Sequence, residues 1–242
     1  MKLKIKIVLL GYLPKSLDFK TIENWKSDIF SIISVERIPI DFEADLPGWA
    51  FSDEVLSQKI PASPYSDIVF IIANIPLKHG WYSRKLSNNR VIYSLQPITN
   101  LLSDRHIPLK NAILRALYAN SLIYLKIRHI PISDSSTRYT HDEVRGCIFD
   151  MNGASIFDLA ESCDRPTLCD QCCSTFFGGE TGESKERMTR IKNELSGITI
   201  GLFEKIFRFI QKYPVRAFVL SSLYAIALGV LTSFIYDLTK QN

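Results

Sequence analysis

Lysine and apolar residues alternate from Lys2 to Ile7, and an apolar run continues to Leu10, the period-two signature of a β-strand. Leu17, Ile22, Trp25, Ile29 and Ile33 recur at helical spacing, so 17–33 reads as an amphipathic helix, and Ser34–Phe42 alternates again as a strand. Ile68–Ala73 (IVFIIA) is continuously apolar, as expected of a strand buried on both faces at the sheet centre. Asn88-Asn89 marks a turn before a strand at Val91–Leu95, and Pro108 opens a helix running to Ile127. This order predicts an α/β or α+β domain over 1–132. A cysteine-rich knuckle is expected over 133–175, a Gly-rich linker and basic amphipathic helix over 176–216, and a transmembrane helix over 217–236.

Ala217–Tyr236 holds 20 residues without a charge, bounded by Arg216 and Asp237. About 20 helical residues cross a bilayer's hydrocarbon core. A helix apolar all round inside a soluble core needs neighbours on every side, whereas only six residues follow this one. Before it, Ile198–Arg216 places Leu202, Phe203, Ile206, Phe207 and Ile210 on one face, with Lys205, Arg208, Lys212 and Arg216 as a membrane-surface set. Eight Lys or Arg lie between Glu183 and Arg216 against Lys240 alone beyond the span, which orients the N-terminal side to the cytoplasm. The expected location is the cell inner membrane, single-pass, with lipids as partners. Ser221, Ala225, Gly229 and Ser233 form a four-residue repeat of small side chains, a pattern that lets helices approach in lipid, so a homo-oligomer is expected.

At 242 residues and 46% hydrophobic content the chain can bury a real core, which excludes global disorder. Its net charge of +4 is concentrated toward the C-terminus, so no direct nucleic-acid interface is expected. The basic, apolar N-terminus resembles a secretory signal, but its alternation, the short apolar run ended by Pro14 and Lys15, and the lack of a small-residue cleavage site favour a first strand.

All five cysteines fall between Cys147 and Cys173, and clustering without an export signal favours metal over disulfides. His141-x5-Cys147-x21-Cys169-x2-Cys172 supplies one loose pair and one tight pair of soft ligands, the arrangement of a tetrahedral structural zinc site. Cys163 and Cys173 are alternative members, and free buried cysteines or a redox pair are the competing reading. Such a closed site leaves no coordination position for chemistry.

The layout resembles the archaemetzincin-like zinc peptidases, in which an α/β domain carrying HExxHxxGxxH precedes a knuckle with C-x4-C and C-x2-C halves. The likeness spans about residues 65 to 173 and rests on the stretch around Cys147 and on Cys169-x2-Cys172, with His141 standing where a family cysteine stands. The catalytic motif is missing: Leu109–Tyr118 (LKNAILRALY) has no His and no Glu, so hydrolysis would lack ligands and a base. His141 and Glu143 form only an H-x-E, and His79, His106 and His129 are scattered. The H…GCxFD…CxxC pattern with a helical tail also resembles effector or accessory proteins of prokaryotic anti-phage systems, which implies a sensor partner and an output at the membrane.

Gly178-Gly179 and Gly182 lack the strand-to-helix context of a phosphate loop. Trp81 and Arg84 follow the central strand, where α/β domains often place binding loops, and form a candidate partner-binding patch if exposed. The expected function is a non-enzymatic membrane effector. A tail-anchored adaptor and a divergent zinc peptidase are the alternatives.

Overall fold

The computed structural model describes residues 2–133, 139–141, 146–150, 156–178 and 182–240. It divides into two units, Met1–Thr199 and Ile200–Asn242.

In the first unit, strands β1 (Leu3–Leu10), β2 (Phe30–Ile38), β3 (Ile68–Ala73), β4 (Ser83–Leu86) and β5 (Arg90–Ser94) form one sheet in the order β2-β1-β3-β5-β4. All pairings are parallel except β4 with β5. β3 is the middle strand, and all six of its residues are buried, as its unbroken apolar run demands. Alternation splits its side chains between two cores: Ile68, Phe70 and Ile72 enter the larger, and Val69, Ile71 and Ala73 the smaller. Asn88 and Asn89 both have positive φ, 57° and 54°, within the three-residue turn between the paired Leu86 and Arg90, a conformation that asparagine tolerates better than most residues.

The helix expected over 17–33 is a correction. Helix α1 covers only Phe19–Glu23, capped at Asp18, whose carboxylate accepts from the Thr21 N–H at 3.2 Å. The β-branched run Ile32, Ile33, Val35 belongs to β2, where parallel pairing with β1 outweighs the helical spacing of the apolar residues. Helices α2 (Asp53–Lys59) and α3 (Thr99–Asp104) were not expected. Their short, polar-rich segments carry little periodicity. Helix α4 (Leu109–Ile127) begins after Pro108 as expected and is buried along most of its length.

Two further helices, α5 (Ile156–Asp164) and α6 (Asp170–Phe177), lie in the cysteine region, and the buried cysteines share the larger core with α4. Helix α7 (Gly182–Ser196) overlaps the expected Gly-rich linker only in its first turn, and its Ile191 and Leu195, with Ile198 just beyond it, are buried in that core. Its Glu194 accepts from Ser27 Oγ at 2.7 Å, the Asp28 N–H at 2.8 Å and Tyr118 Oη at 2.5 Å, while Trp25 Nε1 donates to Tyr118 Oη at 2.9 Å.

The second unit contains α8 (Leu202–Lys212) and α9 (Pro214–Lys240). Among the described residues one helix, over Pro214–Ser233, is long and apolar enough to cross a membrane, and none of that stretch is buried. This run starts three residues before the stretch marked by sequence. Ser221 Oγ and Ser222 Oγ both donate to the Phe218 carbonyl, and Thr232 Oγ1 to that of Leu228, so these hydroxyls are satisfied within the helix.

Candidate metal centre

Three short backbone pairings assemble the centre. The Thr167 N–H donates to the Gly146 carbonyl at 3.0 Å and the Ile148 N–H to that of Thr167 at 2.9 Å, which sets Cys147 beside Thr167. Gly146 has φ +84°, a conformation that residues with a Cβ rarely adopt, so glycine suits the turn that leads into Cys147. The Asp150 N–H closes a turn onto the Cys147 carbonyl at 2.8 Å, and the His141 N–H reaches the Phe149 carbonyl at 3.1 Å. That bond carries His141 to the cluster. Phe149 stacks on Phe176 at 4.5 Å between centroids, and Phe176 also meets Tyr139, so α6 packs against both ligand-bearing segments.

Cys169 is the N-cap of α6, accepting from the Cys172 N–H at 3.4 Å. The x2 spacing therefore wraps both sulfurs around a helix N-terminus, whose partial positive charge favours thiolates. Cys147 Sγ lies 3.7 Å from Cys172 Sγ, and Cys169 Sγ lies 3.4 Å from His141 Nε2. All four ligand atoms lie within 4.8 Å of one another, and these residues could hold a metal ion. The cysteines are free and buried, and His141 is partly buried. Hydrogen bonding from Cys172, followed by backbone N–H groups, holds the Cys147 thiol below the ordinary thiol range despite its burial.

The alternative ligands stand apart. Burial pushes the Cys163 thiol up to about 12, the mark of an inert core thiol, and Cys173 Sγ points to the Leu168 carbonyl at 3.8 Å. Glu143 lies outside the described residues. His79 and His129 are exposed, with His129 Nδ1 2.9 Å from the Ile127 carbonyl, and neither joins the cluster.

Sequence reasoning missed Arg115. It is buried on α4, donates from Nη2 to the Asp150 carbonyl at 3.3 Å, and lies within electrostatic reach of Cys147. On the sequence it is one cation inside a helical repeat, and only the fold brings it beside the cluster.

The expectation of an exposed Arg84 is overturned. Arg84 is 5% exposed, and its Nε donates to Asp53 Oδ1 at 2.9 Å in a salt bridge that fastens β4 to α2. A side chain spent in this way offers nothing to a partner. Trp81 is half-buried, whereas Trp49 and Tyr12 are the strongly exposed aromatics of this unit's loops, together with Tyr65.

In the second unit, Leu202, Phe203, Ile206, Phe207, Phe209 and Ile210 are exposed apolar side chains, and Lys205, Arg208, Lys212 and Arg216 occupy the same helix and its junction with α9. Ser221, Ala225, Gly229 and Ser233 share one face of α9 by their spacing, and nothing stands within 4 Å of a Cβ built on Gly229.

No protein-family model matches the chain, and neither a curated protein nor a solved structure matches it. Of the archaemetzincin-like resemblance, what stands is the cluster of His141, Cys147, Cys169 and Cys172.

Proposed function

We propose that the chain is a non-enzymatic, single-pass membrane effector whose cytoplasmic α/β domain binds a sensor protein or signal and whose α9 helices associate to perturb the membrane. The observation that carries this reading is the wholly unburied apolar run Pro214–Ser233, preceded by a helix with its apolar residues exposed. Leaving the ten exposed large apolar side chains of Pro214–Ser233 in water has no compensating contact in the second unit, and a bilayer supplies one. The eight basic residues on the N-terminal side favour the inner membrane with the α/β domain in the cytoplasm. Resemblance to prokaryotic anti-phage effectors suggests the biological setting.

The metal in this reading is structural zinc. Two sulfurs at about 2.3 Å from a tetrahedral ion stand about 3.8 Å apart, and a sulfur and a nitrogen stand about 3.6 Å apart. The measured 3.7 and 3.4 Å lie close to these edges. Three cysteines and one histidine fill the coordination sphere, so the ion braces the knuckle and activates no water.

Gly229→Leu tests the effector step, because it removes the closest approach between α9 copies without adding charge. The expected result is loss of a cross-linkable oligomer and of membrane permeabilisation, with insertion unchanged. If a foreign transmembrane helix replaces Ala217–Tyr236 with full function, the chain is instead a tail-anchored adaptor.

A further inference from the structure

We infer that the elbow between α8 and α9 binds the phosphate of an anionic glycerophospholipid through Lys212, Tyr213 and Arg216, an inference that rests on the membrane-anchor reading. Tyr213 leaves the helical conformation (φ −135°, ψ 62°) because the Pro214 ring crowds the residue before it. Its N–H nevertheless donates to the Phe209 carbonyl at 2.9 Å, and its carbonyl accepts from the Ala217 N–H at 3.0 Å. The residue is thus held by both helices at their junction. Its ring meets Phe209 with centroids 5.7 Å apart, which orients it.

Two cations converge on this ring: Lys212 Nζ lies 5.3 Å from its centroid and Arg216 Cζ lies 5.0 Å. Each gains from the ring's negative face, and a phosphate within reach of both would add charge-assisted hydrogen bonds. Glu204 is the sole acidic residue from Ile200 to Arg216, so that stretch of chain has little of its own to offer as the anion. Arginine presents paired N–H donors suited to phosphate, and lysine adds a point charge. The site also sits at the right depth. Pro214 is the first residue of the apolar run, so the three side chains fall where headgroups lie, and the exposed apolar residues of α8 would rest on the acyl chains beside them.

The test is native mass spectrometry of the full chain in detergent, offered equal amounts of phosphatidylglycerol and phosphatidylcholine with identical acyl chains. About 1 kcal/mol for each basic residue predicts roughly 30-fold preferential retention of phosphatidylglycerol. The double variant Lys212→Gln/Arg216→Gln should lose that preference, whereas Lys205→Gln/Arg208→Gln, with the same change in charge, should keep most of it. Equal losses in the two variants would mean diffuse attraction and overturn the site. So would displacement of the lipid by millimolar inorganic phosphate, which would mark a free-anion site. Recovery of the Lys212→Gln/Arg216→Gln chain in alkali-washed phosphatidylcholine vesicles separates the two readings: there the anchor holds although the headgroup site is gone. A wild-type chain that fails to enter those vesicles overturns the anchor and the site together.

Discussion

The sulfurs of Cys147 and Cys172 stand 3.7 Å apart although 25 positions separate them in the chain. A disulfide would bring them to about 2.05 Å, and unrelated core thiols have no reason to converge with a third cysteine and a histidine. The separation fits two ligands that could share an ion. Because the surrounding residues Ile148, Phe149, Leu159 and Leu168 belong to the larger core, closure of this centre reaches the larger of the domain's two cores.

Metal removal should therefore be felt as lost stability. The purified protein is expected to carry one zinc per chain, and chelation, or Cys172→Ser, should lower Tm by roughly 10 °C, the shift that about 4 kcal/mol produces in a domain of this size. Elemental analysis beside thermal melting checks both halves. An unchanged Tm after complete removal of the metal would contradict a structural role.

Arg115 should tune that site. Three thiolates and a neutral imidazole on a divalent ion leave one net negative charge, and Arg115 is the buried cation beside it. Arg115→Met is expected to weaken zinc binding by about 10- to 100-fold in a chelator competition, with Arg115→Lys recovering part of the loss. Equal affinities for wild type and Arg115→Met would show that its role is confined to packing.

The Tyr118–Glu194 contact gives a prediction in pH. Burial first, and then the hydrogen bond to Glu194, push the Tyr118 hydroxyl above its ordinary value of 10.0. The folded state thus holds this proton more tightly than the unfolded one, so the stabilisation is fully present below about pH 10 and declines as pH rises further. Tyr118→Phe should cost about 1–3 kcal/mol at pH 7 and flatten the alkaline limb of the stability profile. Denaturant unfolding at pH 7 and pH 10.5 reads both effects, and parallel profiles for the two proteins would sink the assignment.

Much of this was legible in the sequence for identifiable reasons. The run Ile68–Ala73 reads as a doubly buried strand, Pro108 could open α4 at no cost, and C-x2-C paired Cys169 with Cys172 as ligands, although the helix end that carries them was not visible. Periodicity misled at 17–33, where five apolar residues fit a helical face by coincidence and Ile29 and Phe30 in fact enter the core at the start of a strand. The polar stretch 182–198 did not reveal its docking, in which Ile191, Leu195 and Ile198 are buried, Met188 packs beside them, Glu194 accepts hydrogen bonds from Ser27, Asp28 and Tyr118, and Arg190 and Lys192 pair with Asp28 and Asp170. Arg84 looked like a free surface charge because its partner Asp53 lies 31 positions away, on a helix that the sequence had not revealed.

The central claim is that α9 assembles the protein in the membrane, and the oligomeric state of the detergent-solubilised full chain, measured beside a chain ending at Tyr213, tests it most directly. A discrete oligomer that becomes a monomer on truncation is the predicted result. A monomer in both would contradict helix-driven assembly.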